Sequence, residues 1–218
     1  MIKGIIFDLD GTTLNTLKDI HESFNKAFRK YGLEEKSLDE VRMGVGNGFR
    51  VLTKKLIPED IKEETVEEIA LCYQKTYTEN YYKNTRPYEG VSELLSDLQK
   101  QGIQMAVNSN KSDVFVKDLI ARNFPEIRFT EVCGSLDGVA LKPDPEGVYR
   151  ILKLMGLSKK EVLYVGDSET DMKTAKNAGL KSVGVLWGFR DYETLKENGA
   201  DHIIERPEEL LTILKESE

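Results

Sequence analysis

Apolar positions along the chain follow two rhythms. Short, mainly apolar runs stand at 5–7, 103–107, 129–133, 161–165, 182–186 and 202–204, the most continuous at 5–7 and 162–165. They predict strands buried on both faces. Between them, apolar residues recur three and four apart, as in Leu17, Ile20, Phe24, Ala27, Phe28 and Tyr31, which predicts a helix over 17–31 ended by Gly32. The same spacing predicts a short helix from Leu38 capped by Ser37. A glycine-rich loop at 43–50 opens another through Leu56, and a long one covers 61–82. Further helices are expected at 91–101, 111–122, 145–155, 170–178, 192–198 and 208–215.

The two rhythms are unevenly distributed. Residues 17–83 carry only the helical one, whereas strand and helix alternate from 84 onward. That alternation predicts an α/β fold with right-handed crossovers and a doubly wound, mostly parallel, Rossmann-like sheet. The expected domains are a core of 1–16 and 84–218, and an all-helical insertion of 17–83. An insertion directly after the first strand lies above that strand's carboxyl end, where such sheets bind ligands. A lid is its natural role.

Composition narrows the partners. The 218 residues are 39% hydrophobic and 32% charged, with a net charge of −7. An acidic chain is a poor match for nucleic acid or an anionic membrane, so an anionic substrate needs a local cluster of cations. No run of 18 apolar residues exists to cross a membrane. The three apolar residues before Asp8 are too few for a signal peptide. Cys72 and Cys133 belong to no paired motif and predict reduced thiols in a cytoplasmic protein, a monomer or homodimer. With only His21 and His202 present, a mechanism built on paired histidines is not expected.

Candidate chemistry sits where predicted strands end. Ile5-Ile6-Phe7 runs into Asp8-Leu9-Asp10-Gly11-Thr12. Alternation along an extended chain points Asp8 and Asp10 one way and Leu9 back into the protein, and Gly11 permits a sharp turn. Paired carboxylates on rigid backbone suit a hard divalent cation such as Mg2+. The strand at 103–107 runs into Asn108-Ser109-Asn110-Lys111, a hydroxyl and amides able to hold phosphate oxygens. Lys142-Pro143-Asp144-Pro145 presents an ammonium from a stiffened loop. The strand at 161–165 runs into Gly166-Asp167-Ser168-Glu169-Thr170-Asp171, whose two aspartates stand one helical turn apart. Taken singly, the last three are also ordinary helix caps or loop residues.

In this order the four stations resemble the complete motif set of the haloacid dehalogenase-like (HAD) phosphatases. The resemblance implies that Asp8 is the nucleophile and Asp10 the general acid/base, while Ser109 and Lys142 hold the transferring phosphoryl group. It implies Mg2+ bound by Asp8, the Asp10 carbonyl and Asp167, with Asp171 in or near its outer sphere, and Gly11, Thr12 and Asn110 beside the substrate. The helical insertion is similar to the C1-type cap of the phosphoglycolate phosphatase and β-phosphoglucomutase branch. There the stretch Val45-Gly46-Asn47-Gly48 with Arg50 and Lys54 looks like the phosphoglycolate phosphatase cap, with Arg50 meeting the far end of a substrate. Thr13 and Asn15 depart from the branch's usual Leu and Asp, and Ser109 from the usual Thr. The expected activity is hydrolysis of a small phosphorylated metabolite, phosphoglycolate foremost. A phosphomutase, a pyrophosphatase or a nucleotide phosphatase on the same scaffold is the alternative. A phospho-aspartate receiver module is a remote one, since receivers lack a lid.

Overall fold

The computed structural model describes residues 1–216. The chain opens with β1 (Gly4–Phe7) and a two-residue strand β2 (Leu14–Asn15). Four helices follow: α1 (Leu17–Lys30), α2 (Leu38–Gly44), α3 (Phe49–Leu56) and α4 (Glu63–Asn80). The chain returns through β3 (Arg86–Pro87) into α5 (Val91–Lys100) and β4 (Gln104–Ser112). Then come α6 (Asp113–Asn123), β5 (Glu131–Ser135), α7 (Glu146–Met155) and β6 (Val162–Gly166). The chain closes with α8 (Glu169–Ala178), β7 (Lys181–Val185), α9 (Tyr192–Glu197), β8 (His202–Ile204) and α10 (Glu209–Glu216).

Six strands form one parallel sheet in the order β5-β4-β1-β6-β7-β8. Apolar side chains fill both of its faces. Ile5, Phe7 and Leu9 join Val91, Leu95, Val116 and Leu210 on one side, and Ile6 joins Val148, Ile151 and Ala175 on the other. Continuous apolar runs are therefore the right composition for these strands. From β1 the chain crosses to β4 and β5 on one side, then back to β6 on the other. That reversal opens a crevice at the carboxyl ends of β1, β4 and β6.

The expected elements all form, with ends within two residues of expectation except at one boundary, which matters chemically. The strand expected to stop at Val107 continues to Ser112 with an irregularity between Asn108 and Ser112, and the helix expected from Lys111 starts at Asp113. Gly134 permits this, because β5 passes so close that a Cβ there would lie 2.4 Å from the Lys111 carbonyl oxygen. Residues 109–111 thus remain extended at the crevice.

Helices α1–α4 surround an apolar cluster of their own, with Phe24 stacked on Tyr73 and Phe115 and Phe189 joining from the α/β part. Ser37 caps α2 as expected, accepting from the Glu40 N–H while Glu40 accepts from the Ser37 N–H. The two ends of the helical block are tied together. β2 pairs antiparallel with β3, Leu14 opposite Pro87 and Asn15 opposite Arg86. Behind this pair, buried Asp19 of α1 accepts hydrogen bonds from the backbone N–H and side-chain amide of Asn84, and from the N–H and hydroxyl of Thr85 (2.7–3.0 Å). Asp19→Ala should therefore leave several buried donors unpaired and lower stability by roughly 2–4 kcal/mol, read as a lower urea midpoint.

Candidate active site

Asp8 extends β1 by one residue, its N–H donating to the Val165 carbonyl at 2.9 Å. Its Oδ1 accepts the Leu9 N–H at 2.7 Å and lies 2.9 Å from Lys142 Nζ, so one carboxylate oxygen is anchored. Leu9 points into the core, and Gly11 turns the chain at φ +88°. A Cβ at Gly11 would lie 2.2 Å from Asp167 Oδ2, and one at Gly188 2.3 Å from Asp167 Cβ. Only glycines let the two loops close on that aspartate.

Asp167 ends β6. Its Oδ1 accepts the Thr12 hydroxyl at 3.0 Å and its Oδ2 the Phe189 N–H at 2.8 Å. Thr12, expected beside the substrate, is instead buried with its hydroxyl committed to Asp167. Ser168 caps α8 in a reciprocal box with Asp171. Asp171 Oδ2 accepts the Ser168 N–H and hydroxyl (3.1 and 2.6 Å), which leaves Oδ1 to meet Lys142 Nζ at 2.7 Å. The cap thus aims the Asp171 carboxylate at Lys142.

Lys142 is buried between Asp8 and Asp171. Against the cost of burial, Asp171 and Asp8 hold its ammonium well above the ordinary lysine range. Its loop is held by Asn110, which pairs with it much as another peptide would. The Lys142 N–H donates to Asn110 Oδ1 (2.8 Å), and Asn110 Nδ2 donates to the Lys142 and Gly46 carbonyls (both 3.0 Å). The amide expected to face substrate is therefore occupied by backbone, although Asn110 still borders the cavity.

Asp10 stands apart from this cluster. Its Oδ1 accepts the Thr16 hydroxyl at 2.5 Å, and Lys111 Nζ donates to both of its oxygens at 2.7 and 3.0 Å. Ser109, two residues before Lys111 on the extended stretch, is buried at the cavity floor, its Oγ accepting the Lys111 N–H at 3.3 Å.

Above these groups lies a cavity of about 600 Å³, its open mouth included, roofed by α1, α3 and α4 and the glycine loop. Gly46 and Gly48 border it, and the Thr170 hydroxyl donates to Asn47 Oδ1 at 3.1 Å. Arg50 is not brought to it. That guanidinium is half exposed, donates to both oxygens of Glu67 (2.9–3.1 Å) and lies 4.7 Å over its neighbour Phe49. The ion pair between α3 and α4 holds it outside.

The charge balance tests whether a metal suits the site. Asp8, Asp167 and Asp171 each offer an oxygen within 4.8 Å of one another, all three residues buried. Burial first, then the charge of Asp171, push the Asp8 carboxyl up to about 7 against the pull of Lys142. Burial with Asp171 and Asp8 raises Asp167 well above the carboxylate range. Counting Asp10 and Lys111, four carboxylates face two ammonium groups. The two uncompensated charges and the all-oxygen donor set fit one hard divalent cation.

Three residues of this geometry escape a reading of sequence alone. In sequence Lys111 stands at an expected helix start, and Thr16 is one polar residue before the first expected helix. Tyr77 borders the cavity but repeats with Tyr73 and Tyr81 at helical spacing, which has the look of a core stripe. The signal that could have found Lys111 is its two-residue spacing from Ser109 on a continuing strand.

Comparison with known proteins agrees with this architecture. Residues 5–185 match the family model of haloacid dehalogenase-like hydrolases. A phosphoglycolate phosphatase of Aquifex aeolicus is 32% identical over 213 residues, covering 98% of this chain and 97% of its own length. The crystal structure of a predicted phosphoglycolate phosphatase from Haemophilus somnus 129pt superposes with a TM-score of 0.90 at 30% identity, 98% of each chain being covered. That of a predicted phosphatase from Clostridium acetobutylicum gives 0.82 at 25% identity, covering 99% of this chain and 100% of its own. No helix among the described residues is long and apolar enough to cross a membrane. With the motif residues converging at one crevice and the family model spanning most of the chain, this protein belongs to the haloacid dehalogenase-like hydrolases.

Proposed function

We propose that the protein is a Mg2+-dependent phosphomonoesterase that forms an aspartyl-phosphate on Asp8 and acts on a small phosphorylated metabolite of the phosphoglycolate type. The observation that carries this reading is the buried Asp8–Lys142–Asp171 chain beside Asp167. The names of the relatives support the substrate, and the block 17–83 serves as the cap.

In this reading Asp8, the Asp10 carbonyl and Asp167 hold Mg2+, with Asp171 behind them. When bound, the ion screens the repulsion between Asp8 and an incoming phosphate dianion. Asp8 Oδ2, the carboxylate oxygen not taken by the Leu9 N–H, attacks phosphorus as the bond to the alcohol oxygen breaks. Asp10, held by Thr16 and Lys111, delivers the proton to that oxygen. Asp10 then takes a proton from water, the water oxygen attacks the phosphorus, and Asp8 is released with inorganic phosphate. Lys142 stabilises the charge spread over the phosphoryl oxygens. Ser109 donates its hydroxyl to one of them.

Incubation with 2-phosphoglycolate and Mg2+ is expected to release inorganic phosphate, and a chelator is expected to stop it. Release that persists unchanged in chelator would remove the metal from the mechanism. An isomerised sugar phosphate formed without net phosphate release would decide for a mutase. The enzyme is expected in the cytoplasm.

A further inference from the structure

The phosphoryl-binding groups account for one end of the cavity; the other end carries a feature that the chemistry above does not use. The roof is mainly apolar, with Ile20, Val45, Phe49 and Leu52 among its residues. Lys111 is the one cationic side chain among the residues that line the cavity. An ammonium has three N–H donors. Those of Lys111 are directed to the two Asp10 oxygens and toward the ring of Tyr77, whose centroid is 4.8 Å away. A ring face is only a weak acceptor for the remaining donor.

Tyr77 adds a second, independent observation. Its side chain is buried, and its hydroxyl has no hydrogen-bond partner among the described residues. An unpaired buried hydroxyl is unfavourable, so a partner arriving with the ligand would recover that loss. Burial and the nearby charge of Asp10 hold the hydroxyl well above the ordinary tyrosine range, which keeps it protonated and a donor. Lys111 and Tyr77 therefore stand side by side at the cavity, the ammonium over the ring, with mainly apolar residues in the roof around them. A neutral alcohol offers acceptor lone pairs but no charge. A carboxylate offers two acceptor oxygens and a negative charge.

We infer that Lys111 and the Tyr77 hydroxyl bind the carboxylate of the leaving alcohol, making the enzyme selective for short phosphorylated hydroxy acids over neutral phosphate esters. This rests on the phosphomonoesterase reading and assigns the selectivity to two named groups. Lys111 touches Asp10, which must itself reach the ester oxygen. The carboxylate anchor and the phosphoryl site are thus close, and only a short alcohol spans them. Sugar phosphates and nucleotides would place hydroxyls or a base against Leu52 and Phe49.

The test compares 2-phosphoglycolate with ethyl phosphate, in which a methyl group replaces the carboxylate. Steady-state kinetics with Mg2+ are measured for the wild type, Lys111→Met and Tyr77→Phe. The wild type is expected to favour 2-phosphoglycolate by about 100-fold or more in kcat/KM. Lys111→Met should collapse that ratio to within about threefold, and Tyr77→Phe, which keeps the ring, should reduce it by about tenfold. Because Lys111 also holds Asp10, Lys111→Met should slow both esters, and the ratio between them is the readout. A ratio left unchanged by Lys111→Met overturns the proposal, as does a wild type that hydrolyses p-nitrophenyl phosphate yet shows no preference between the two esters. If none of the three esters yields phosphate, it is the phosphomonoesterase reading itself that fails.

Discussion

Asp8→Asn is expected to reduce turnover by about 10⁴-fold or more, while the same protein in chelator unfolds at a higher temperature than the wild type. The two effects share a cause. Burial and Asp171 raise the Asp8 carboxyl from the ordinary 3.8 to about 7. An acid whose folded pKa exceeds its unfolded value destabilises the fold when ionised. The penalty is absent below about 4, grows through the interval up to about 7 and is complete above it. Removing the charge should thus stabilise the metal-free protein at pH 8 by on the order of 2–3 kcal/mol, a figure reduced from the full shift because Asp8 and its neighbours share their protons. At pH 4 the difference should vanish. Thermal melts at the two pH values, paired with p-nitrophenyl phosphate assays in Mg2+, check both halves. An inactive variant that is also less stable at pH 8 would mean that the site had collapsed, and the loss of turnover would then say nothing about the nucleophile.

Lys142→Met should move stability in the opposite direction. Among the described residues Lys142 is the one cation paired with Asp8 and Asp171, at 2.9 and 2.7 Å, and it is almost wholly enclosed. Without it, three buried carboxylates face one another with no counter-charge, and removing one partner of a buried pair typically costs about 3–5 kcal/mol. Turnover should fall by about 10²–10³-fold, because charge on the transferring phosphoryl group loses its fixed partner. Urea unfolding in chelator measures the first effect and steady-state kinetics the second. Saturating Mg2+ should restore part of the stability, since a cation bound by the native state alone stabilises it. A Lys142→Met protein as stable as the wild type in chelator would show that the carboxylates are neutralised by protonation rather than by the lysine. Opposite signs at residues 2.9 Å apart would be hard to obtain from any arrangement other than an over-acidic pocket.

How much of this was legible beforehand depended on whether local rules and tertiary packing agreed. At Asp8 they did: a buried strand, two alternating acids and a glycine allow little else, and Leu9 is buried as alternation requires. Asp167 and Asp171 were equally plain, because a strand end followed by a helix start confines both. Lys111 was not. Ser109-Asn110-Lys111 has the composition of a helix cap, and the stretch stays extended only because β5 approaches it closely at Gly134. Nothing in the local sequence encodes that approach. Arg50 was misplaced for a related reason, since its salt bridge to Glu67 joins two helices whose packing no short window reveals. Thr12 and Asn110 lie in the expected neighbourhood, but with their side chains holding Asp167 and the Lys142 loop. Asp19 looked like any acid in a first helical turn, where negative charge is favoured anyway. Its four hydrogen bonds come from residues that return only after the whole insertion.

The pairing of Leu14–Asn15 with Arg86–Pro87 has a consequence for how this chain is assembled. Seen from the sheet, everything between those strands behaves as a loop of almost no length, because its ends leave and return side by side. Chain entropy charges β1 for finding β4 according to the slack between them. Once the helical block and its Asp19 clamp have formed, that slack shrinks to a short hairpin and α5. Helices α1–α4 make mostly local contacts and can form quickly. The helical block thereby shortens the search by which the sheet folds.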